Sequence, residues 1–327
     1  MSNILITGGA GFIGSYLCKH YIEKNNNVIA LDNLSTGSLD NLESLSGNEK
    51  FKLEIGDVTD SVKVNDLVNQ SDIIIHMAAV VGVKHVMKNP VDTIRVNILG
   101  TENILHSCAM FKKRVLIAST SEVYGKAMQY IRSENGLDEE SDTVMGNTSV
   151  RRWSYATSKA LDEFLALAYY EEKDLSVNIV RYFNTVGPGQ LGDYGMVLPI
   201  FINKALNNED IPVFGDGEQK RSFGYVIDAV KCTSALIEKN SEFGQVFNVG
   251  NQNEISMNDL ANKVINYCDS NSKIVHIPYE KAYGKGFEDM KRRKPNTDKI
   301  KKAIGFAPTI GIDRIIAEIV DHIKSKS

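Results

Sequence analysis

The sequence is poor in anything that would staple, anchor or charge it. Its four cysteines, Cys18, Cys108, Cys232 and Cys268, are scattered without a C-x-x-C pair. That spacing argues against a disulfide scaffold and for buried thiols in a reduced protein. The six histidines show no metal-ligand spacing, so no metal is expected. No apolar run approaches the ~20 residues that span a bilayer. The net charge of −4 and pI near 5.9 give no reason to expect nucleic acid or a membrane surface as partner. A strand pattern begins at Asn3, so no signal peptide is expected, and a cytoplasmic location is. Internal repeats and low-complexity tracts are missing too. What remains is ordinary globular composition, 43% hydrophobic and 24% charged over 327 residues. That length suits one large or two medium domains with ample core.

Glycine, by contrast, is concentrated at one place. Ile4 to Ile6 reads as a buried strand, Gly8, Gly9, Gly11 and Gly14 crowd a turn, and Ser15 to Lys24 reads as a helix. Strand, glycine turn and helix together turn a G-x-G-x-x-G match into a dinucleotide site. Glycine lets the backbone approach a pyrophosphate, and the helix N-terminus offers it free N–H groups. A second apolar run, Val28 to Leu31, ends in Asp32. An acid there accepts hydrogen bonds from an adenosine ribose and repels a 2′-phosphate, favouring NAD over NADP.

Strands and helices then alternate. Lys52–Ile55, Ile73–His76, Arg114–Ala118 and Ser176–Arg181 read as strands; Asp60–Asn69, Pro90–Phe111 and Tyr155–Lys173 read as helices. Continuous apolar strands between helices predict a doubly wound parallel α/β sheet of the Rossmann type, with ligands beyond the strands' carboxyl ends. Past Asn184 the rhythm changes. Residues 187–195 read as loop and 198–206 as a short helix. Strands are expected at 211–214 and 246–250, and helices at 259–268 and 313–324. The expected organisation is a cofactor domain over residues 1–185, with a returning segment near 225–250, and a smaller mixed α+β substrate domain over 186–327. Residues 136–150, polar and aperiodic, are expected to form a mobile surface loop near the mouth of the site.

Tyr155 and Lys159 lie four apart, on one face of a helix start. A lysine ammonium one turn away, with a cationic nicotinamide, would favour the tyrosine phenolate. Tyr155 could then take a proton from a sugar hydroxyl, while Lys159 holds the nicotinamide ribose. Y-x-x-x-K alone is a weak signal. Ser119-Thr120-Ser121 at the preceding strand end, where a hydroxyl can orient substrate, strengthens it.

The ordered motifs Thr7 to Gly14, Asp32 to Gly37, Gly56-Asp57, Ala78-Ala79, Ser119 to Gly125, Tyr155/Lys159 and Arg181 to Asn184 resemble the extended short-chain dehydrogenase/reductase family. The chain is similar, over essentially its whole length, to that family's nucleotide-sugar epimerases, dehydratases and decarboxylases. The resemblance implies an NAD that is reduced and reoxidised within one turnover, a nucleotide-diphosphate sugar as substrate, and a homodimer packed through the two long helices. It implies catalytic roles for Thr120, Tyr155, Lys159 and Glu122. For the cofactor it implies Gly8, Gly11, Phe12, Ile13, Gly14, Asp32, Asn33, Ser35, Thr36, Gly37, Asp57, Val58, Ala78, Ala79, Val80, Asn97 and Ser119. For the substrate it implies Ser121, Glu122, Arg152, Asn184, Arg221 and Arg292, with Val197, Leu198 and Phe214 shaping a nucleobase pocket; a guanidinium fork matches phosphate oxygens.

The reaction after C4 oxidation is left open between three outcomes. Glu122 could remove the C5 proton, as in a 4,6-dehydratase. Arg152 could hold a C6 carboxylate by a bidentate pair, as in a uronate decarboxylase, or could simply stack on Trp153. A 4-epimerase of a UDP-hexose or UDP-uronic acid asks least of the site and is the leading expectation. The decarboxylase and dehydratase come second, and a non-catalytic NAD-binding sensor on the same fold is the alternative of another class.

Overall fold

In the computed structural model, which describes residues 1–131, 134–192, 196–283 and 290–326, the apolar runs become parallel strands. These are β1 (Asn3–Thr7), β2 (Asn27–Asp32), β3 (Phe51–Ile55), β4 (Ile73–His76), β5 (Arg114–Thr120) and β6 (Val177–Tyr182). A seventh strand, Gln245–Val249, returns to pair with β6. Across the sheet the order is seventh strand, β6, β5, β4, β1, β2, β3. From β1 the chain winds out to β3, then crosses back to start again at β4. The turns after β1 and β4 therefore diverge, and a crevice opens between them.

Alternation along each strand covers both faces. Ile4, Ile6, Ile75 and Leu116 enter one buried cluster, with helix α1 (Phe12–Glu23) and helix Val226–Ile237. Leu5, Ile74, Val115 and Ile117 enter the opposite one, with α2 (Ser61–Asn69), α4 (Pro90–Phe111) and α5 (Trp153–Lys173); the short α3 (Val83–Lys88) leads into α4. Truncating one of these to alanine, for example Ile117, costs about 2–5 kcal/mol. Local signals agree with the packing. The Asp60 carboxylate caps α2 by accepting from the Val62 and Lys63 amides. Pro90 starts α4 at a position where its missing N–H has no partner to lose.

Beyond β6 the described residues build three small sheets over the carboxyl ends of the main one, the first pairing Thr185–Val186 with Gly224–Tyr225. Ile211–Phe214 pairs in parallel with Ile274–Ile277. Lys220–Ser222 sits between Glu254–Ser256 and Arg292–Arg293. Helices Val197–Leu206, Met257–Cys268 and Ile312–Lys326 pack beside them.

The segment expected to be a mobile loop at 136–150 is fastened near its start and its middle. Leu137 is buried; its amide donates to the Lys294 carbonyl, and its carbonyl accepts from the Asn296 amide and the Asn248 side chain. Val144 exchanges backbone hydrogen bonds with Tyr124 and Lys126. One apolar anchor is too short a signal for periodicity to reveal. Of the expected loop at 187–195, residues 193–195 lie outside the described residues. Its start is tied down by Tyr16, whose hydroxyl donates to the Pro188 carbonyl. Among the described residues no helix is long and apolar enough to cross a membrane.

Candidate active site

The crevice is a single cavity of about 750 Å³ running from the glycine turn to the three small units. Gly8 takes φ +68°, and a side chain there would press its Cβ to 2.8 Å from the Ala78 amide nitrogen. A Cβ on Gly14 would stand 2.0 Å from the Gly8 carbonyl oxygen. The turn is thus closed to side chains and open to a ligand approaching the start of α1. Gly8, Gly11, Phe12, Ile13 and Gly14 line the cavity, as do Asn33, Ser35 and Thr36 at the end of β2. Asp32 also lines it, with one carboxylate oxygen on the Ala10 amide and the other on the Leu34 amide, at 2.9 and 2.8 Å. The turn that excludes a Cβ and the acid held at the strand end fit a dinucleotide with a free 2′-hydroxyl.

Three expected cofactor contacts stand behind this surface. Gly37 packs against Asp32, where a Cβ would come within 2.9 Å of its carboxylate. The Asp57 carboxylate is taken up by Thr59 and Asn33; burial raises this carboxyl, but those hydrogen bonds outweigh it and hold it below the ordinary range. Its neighbours Gly56 and Val58 reach the cavity instead. Asn97 is buried, its side-chain oxygen accepting from the Val80 amide at 2.8 Å and its nitrogen donating to Ser158 at 3.3 Å. It braces the lining formed by Ala78, Ala79 and Val80 against the first turns of α5.

Ser119, Thr120, Ser121 and Glu122, at the end of β5, meet Tyr155 and Lys159 from the start of α5 across the same cavity. Ser119 is held from below by Glu163, which is itself clasped by Arg181 at 2.7 Å. Burial pushes the Tyr155 phenol well above its ordinary range, and Glu122 pushes the same way, while Thr120 pulls it down. The lowering expected at this phenol is that of Lys159 acting together with a bound cationic nicotinamide. The Lys159 ammonium is 2.7 Å from an Asp162 carboxylate oxygen, both side chains being buried. Asp162 offsets the charge that Tyr155 would otherwise feel.

At the substrate end, Glu122 lies between two buried guanidiniums. Arg293 Nη2 is 2.6 Å from one carboxylate oxygen and Arg152 Nη2 is 3.3 Å from the other. Arg293 Nη1 also reaches the Ser121 hydroxyl at 3.4 Å. Arg152 stacks on Trp153 at 5.5 Å as well, so stacking and the ion pair coexist. Asn184, Val197, Phe214 and Arg221 line the rest of the cavity, whereas Leu198 is wholly buried in the core.

Arg292 does not face the cavity: its guanidinium forks onto Glu254, at 2.6 to 2.9 Å. Strand alternation is the reason. Arg293 is registered beside Arg221 and Arg292 beside the exposed Lys220, so consecutive arginines point to opposite faces. Arg293 and Asp162 were therefore the residues missed. For Arg293 the signal lay in the same Lys-Arg-Arg-Lys run, once its strand phase is known. For Asp162 it lay in the i, i+3 spacing from Lys159.

A family model described as GDP-mannose 4,6 dehydratase matches residues 5–319. The chain is 40% identical over 321 residues to a UDP-N-acetyl-alpha-D-glucosaminuronate decarboxylase of Bacillus cytotoxicus, covering 98% of this chain and 97% of that one. It is 34% identical to UDP-glucuronic acid decarboxylase 1 of Arabidopsis thaliana, covering 99% of this chain and 70% of that protein. Among solved structures, a UDP-glucuronic acid 4-epimerase from Bacillus cereus, in complex with UDP-glucuronic acid and NAD, superposes with a TM-score of 0.88 at 25% identity; 99% of this chain and 100% of that one are covered. The chain belongs to the GDP-mannose 4,6 dehydratase family, within the NAD-dependent nucleotide-sugar epimerases, dehydratases and decarboxylases of the extended short-chain dehydrogenase/reductase group.

Proposed function

We propose that the protein is an NAD-dependent decarboxylase of a UDP-linked uronic acid, rather than the 4-epimerase that the sequence alone put first. The observation that carries this reading is the cluster of Arg152, Glu122 and Arg293. Two buried guanidiniums flank Glu122 at the substrate end, and their N–H donors suit a carboxylate such as that on C6 of the sugar. The relatives named above as decarboxylases of UDP-uronic acids support the same class.

Gly8 to Gly14, Asp32, Asn33 and Ala78 to Val80 would hold NAD, which would supply hydride acceptance from C4 and its return. Tyr155 accepts the proton of the C4 hydroxyl, with Thr120 fixing that hydroxyl and Lys159 holding the ribose. The resulting 4-ketone stands β to the C6 carboxylate, so the C5–C6 bond can break with its electrons flowing to the ketone oxygen; carbon dioxide leaves, and the enolate takes a proton at C5 from water before C4 is reduced again. Tyr155 and Thr120 are placed to hold that oxygen as it gains charge. Arg152 and Arg293 hold the carboxylate in line beforehand, and Glu122 keeps the two guanidiniums apart and aimed. Asn184 and Arg221 take the diphosphate, and Val197 and Phe214 the base. Residues 1–185 then serve the cofactor and 186–327 mainly the sugar nucleotide.

A UDP-uronic acid 4-epimerase is the second reading, favoured by the superposition on such an enzyme. It needs the same carboxylate and the same Tyr155. Mass analysis of product after incubation with UDP-glucuronate, its 2-acetamido analogue and UDP-glucose separates them. Loss of one carbon dioxide from a uronate supports decarboxylation. An unchanged mass with inverted C4, or loss of water, overturns it. We further read the protein as a cytoplasmic homodimer. Val91, Ile94, Leu161 and Phe164 stand exposed on α4 and α5, an apolar surface that a second copy would cover. The free thiols of Cys18, Cys108, Cys232 and Cys268 suit a reducing compartment.

A further inference from the structure

The Lys159–Asp162 pair has a support that the chemistry above does not use. Nζ and Oδ2 are 2.7 Å apart, with the two side chains 2% and 0% exposed. An ammonium or a carboxylate so far from water is costly alone and tolerable only as a pair. Burial raises the Asp162 carboxyl and the Lys159 charge lowers it; its second oxygen, Oδ1, is buried with no hydrogen-bond partner among the described residues. Thr101 meets His76 Nε2 at 3.3 Å, His76 Nδ1 meets the Thr7 hydroxyl at 2.7 Å, and that hydroxyl accepts from the Ala78 amide at 3.2 Å. A buried polar chain thus runs beneath the cavity floor, from the turns after β1 and β4 to Thr101, and His76 within it feels the Lys159 charge. Of the Lys159–Asp162 pair only Lys159 reaches the cavity.

We propose that Asp162 is a positioning residue, a fixed counter-ion that keeps Lys159 charged and in place at the cofactor side of the cavity. The inference rests on the reading that Lys159 and Tyr155 act on a bound cofactor and sugar. The groups facing the pair leave Asp162 as its counter-charge. On α5, Glu163 is committed to Arg181 and Ser119. From β4, His76 is neutral, since burial, and then the Lys159 charge, push it down to about 3. From α4, Thr101 is uncharged. Glu122 and Arg293 act on Tyr155 from across the cavity but are paired with each other.

The test compares the full-length parent, Asp162→Asn, Asp162→Glu, Lys159→Met and the double variant Asp162→Asn/Lys159→Met. The full-length protein as purified, with its cofactor, is melted from about pH 7 to about pH 9.5, toward the ordinary lysine range. Asp162→Asn should melt roughly 5–10 °C below the parent at the lower pH, because an unpaired ammonium is left buried. In that variant the folded state binds fewer protons than the unfolded chain, so the gap should narrow as pH rises. Removing the ammonium as well, in the double variant, should recover most of the loss. In turnover, Asp162→Asn should lose activity on the alkaline side at least roughly tenfold in proton concentration earlier than the parent, with Asp162→Glu moving the profile back. A pH-independent gap that Lys159→Met deepens, superimposable pH profiles, or failure of both the single and the double variant to fold assigns Asp162 to packing and overturns the proposal. If the parent turns over no nucleotide uronate, the functional reading fails, and the melting arm still decides the counter-ion.

Discussion

The two ends of the cavity are built on opposite principles. The cofactor end is made by neighbours in sequence. Gly8 to Gly14 turn within one loop, and Asp32 closes the next strand, so strand, turn and helix geometry places the groups that meet the pyrophosphate and the adenosine ribose. The sugar end is made by strangers. Glu122 follows β5, Arg152 precedes α5, and Arg293 arrives from a strand 171 residues away. At the first end, function follows from backbone shape. At the second it follows from buried charge that three separate elements must deliver together. The first should therefore fail by losing its shape, and the second by losing one charge at a time.

The largest expected effect is at the shape-determined end. Gly14→Ala forces a Cβ to 2.0 Å from the Gly8 carbonyl oxygen, so we expect complete loss of bound NAD, read by absorbance of the extracted cofactor. Tyr155→Phe removes the hydroxyl proposed to accept the proton and leaves the turn intact. Turnover should fall about 10²- to 10⁴-fold with NAD still bound; a loss of NAD with it would blur the contrast between the two ends. At the charge-built end, Arg293→Ala should lower kcat/KM for a UDP-uronate about 100-fold. Arg292→Ala, on the far face of the same strand, should stay within about threefold. Equal effects would break the account of alternation. The smallest effect lies beneath both ends. His76 is held at about 3 by burial and by Lys159, below the ~6.5 of an unfolded chain. The unfolded state binds more protons between those values, so the stability His76 contributes is full above ~6.5 and is lost as pH falls toward ~3. His76→Gln should flatten the stability–pH curve on that acid side by at most ~1.4 kcal/mol per pH unit, measured by urea unfolding.

Legibility in the sequence follows the same divide. The strand and helix patterns of the first half, the glycine turn and the Tyr155/Lys159 spacing are local, and periodicity reports them. Arg292 was preferred to Arg293 because a run of charge does not show its strand phase until its partner strand, Lys220–Ser222, is known. Leu137 was read as part of a loop because one apolar residue has no period. Asp57 looked like a ligand contact because nothing in the sequence says that Thr59 and Asn33 already occupy its oxygens. Glu122 and Arg152 were each seen, but their meeting was not, since contact between distant elements belongs to packing. That meeting suits a substrate carboxylate, and the relatives named as decarboxylases moved the proposed reaction from epimerisation to decarboxylation.

The most direct measurement follows the carboxyl carbon itself. UDP-glucuronate, or its 2-acetamido analogue, isotopically labelled at C6, is given to the parent and to Arg293→Ala, and released carbon dioxide is trapped. The account expects the label in the trapped gas from the parent and almost none from the variant. Label retained in a sugar nucleotide inverted at C4 would contradict it.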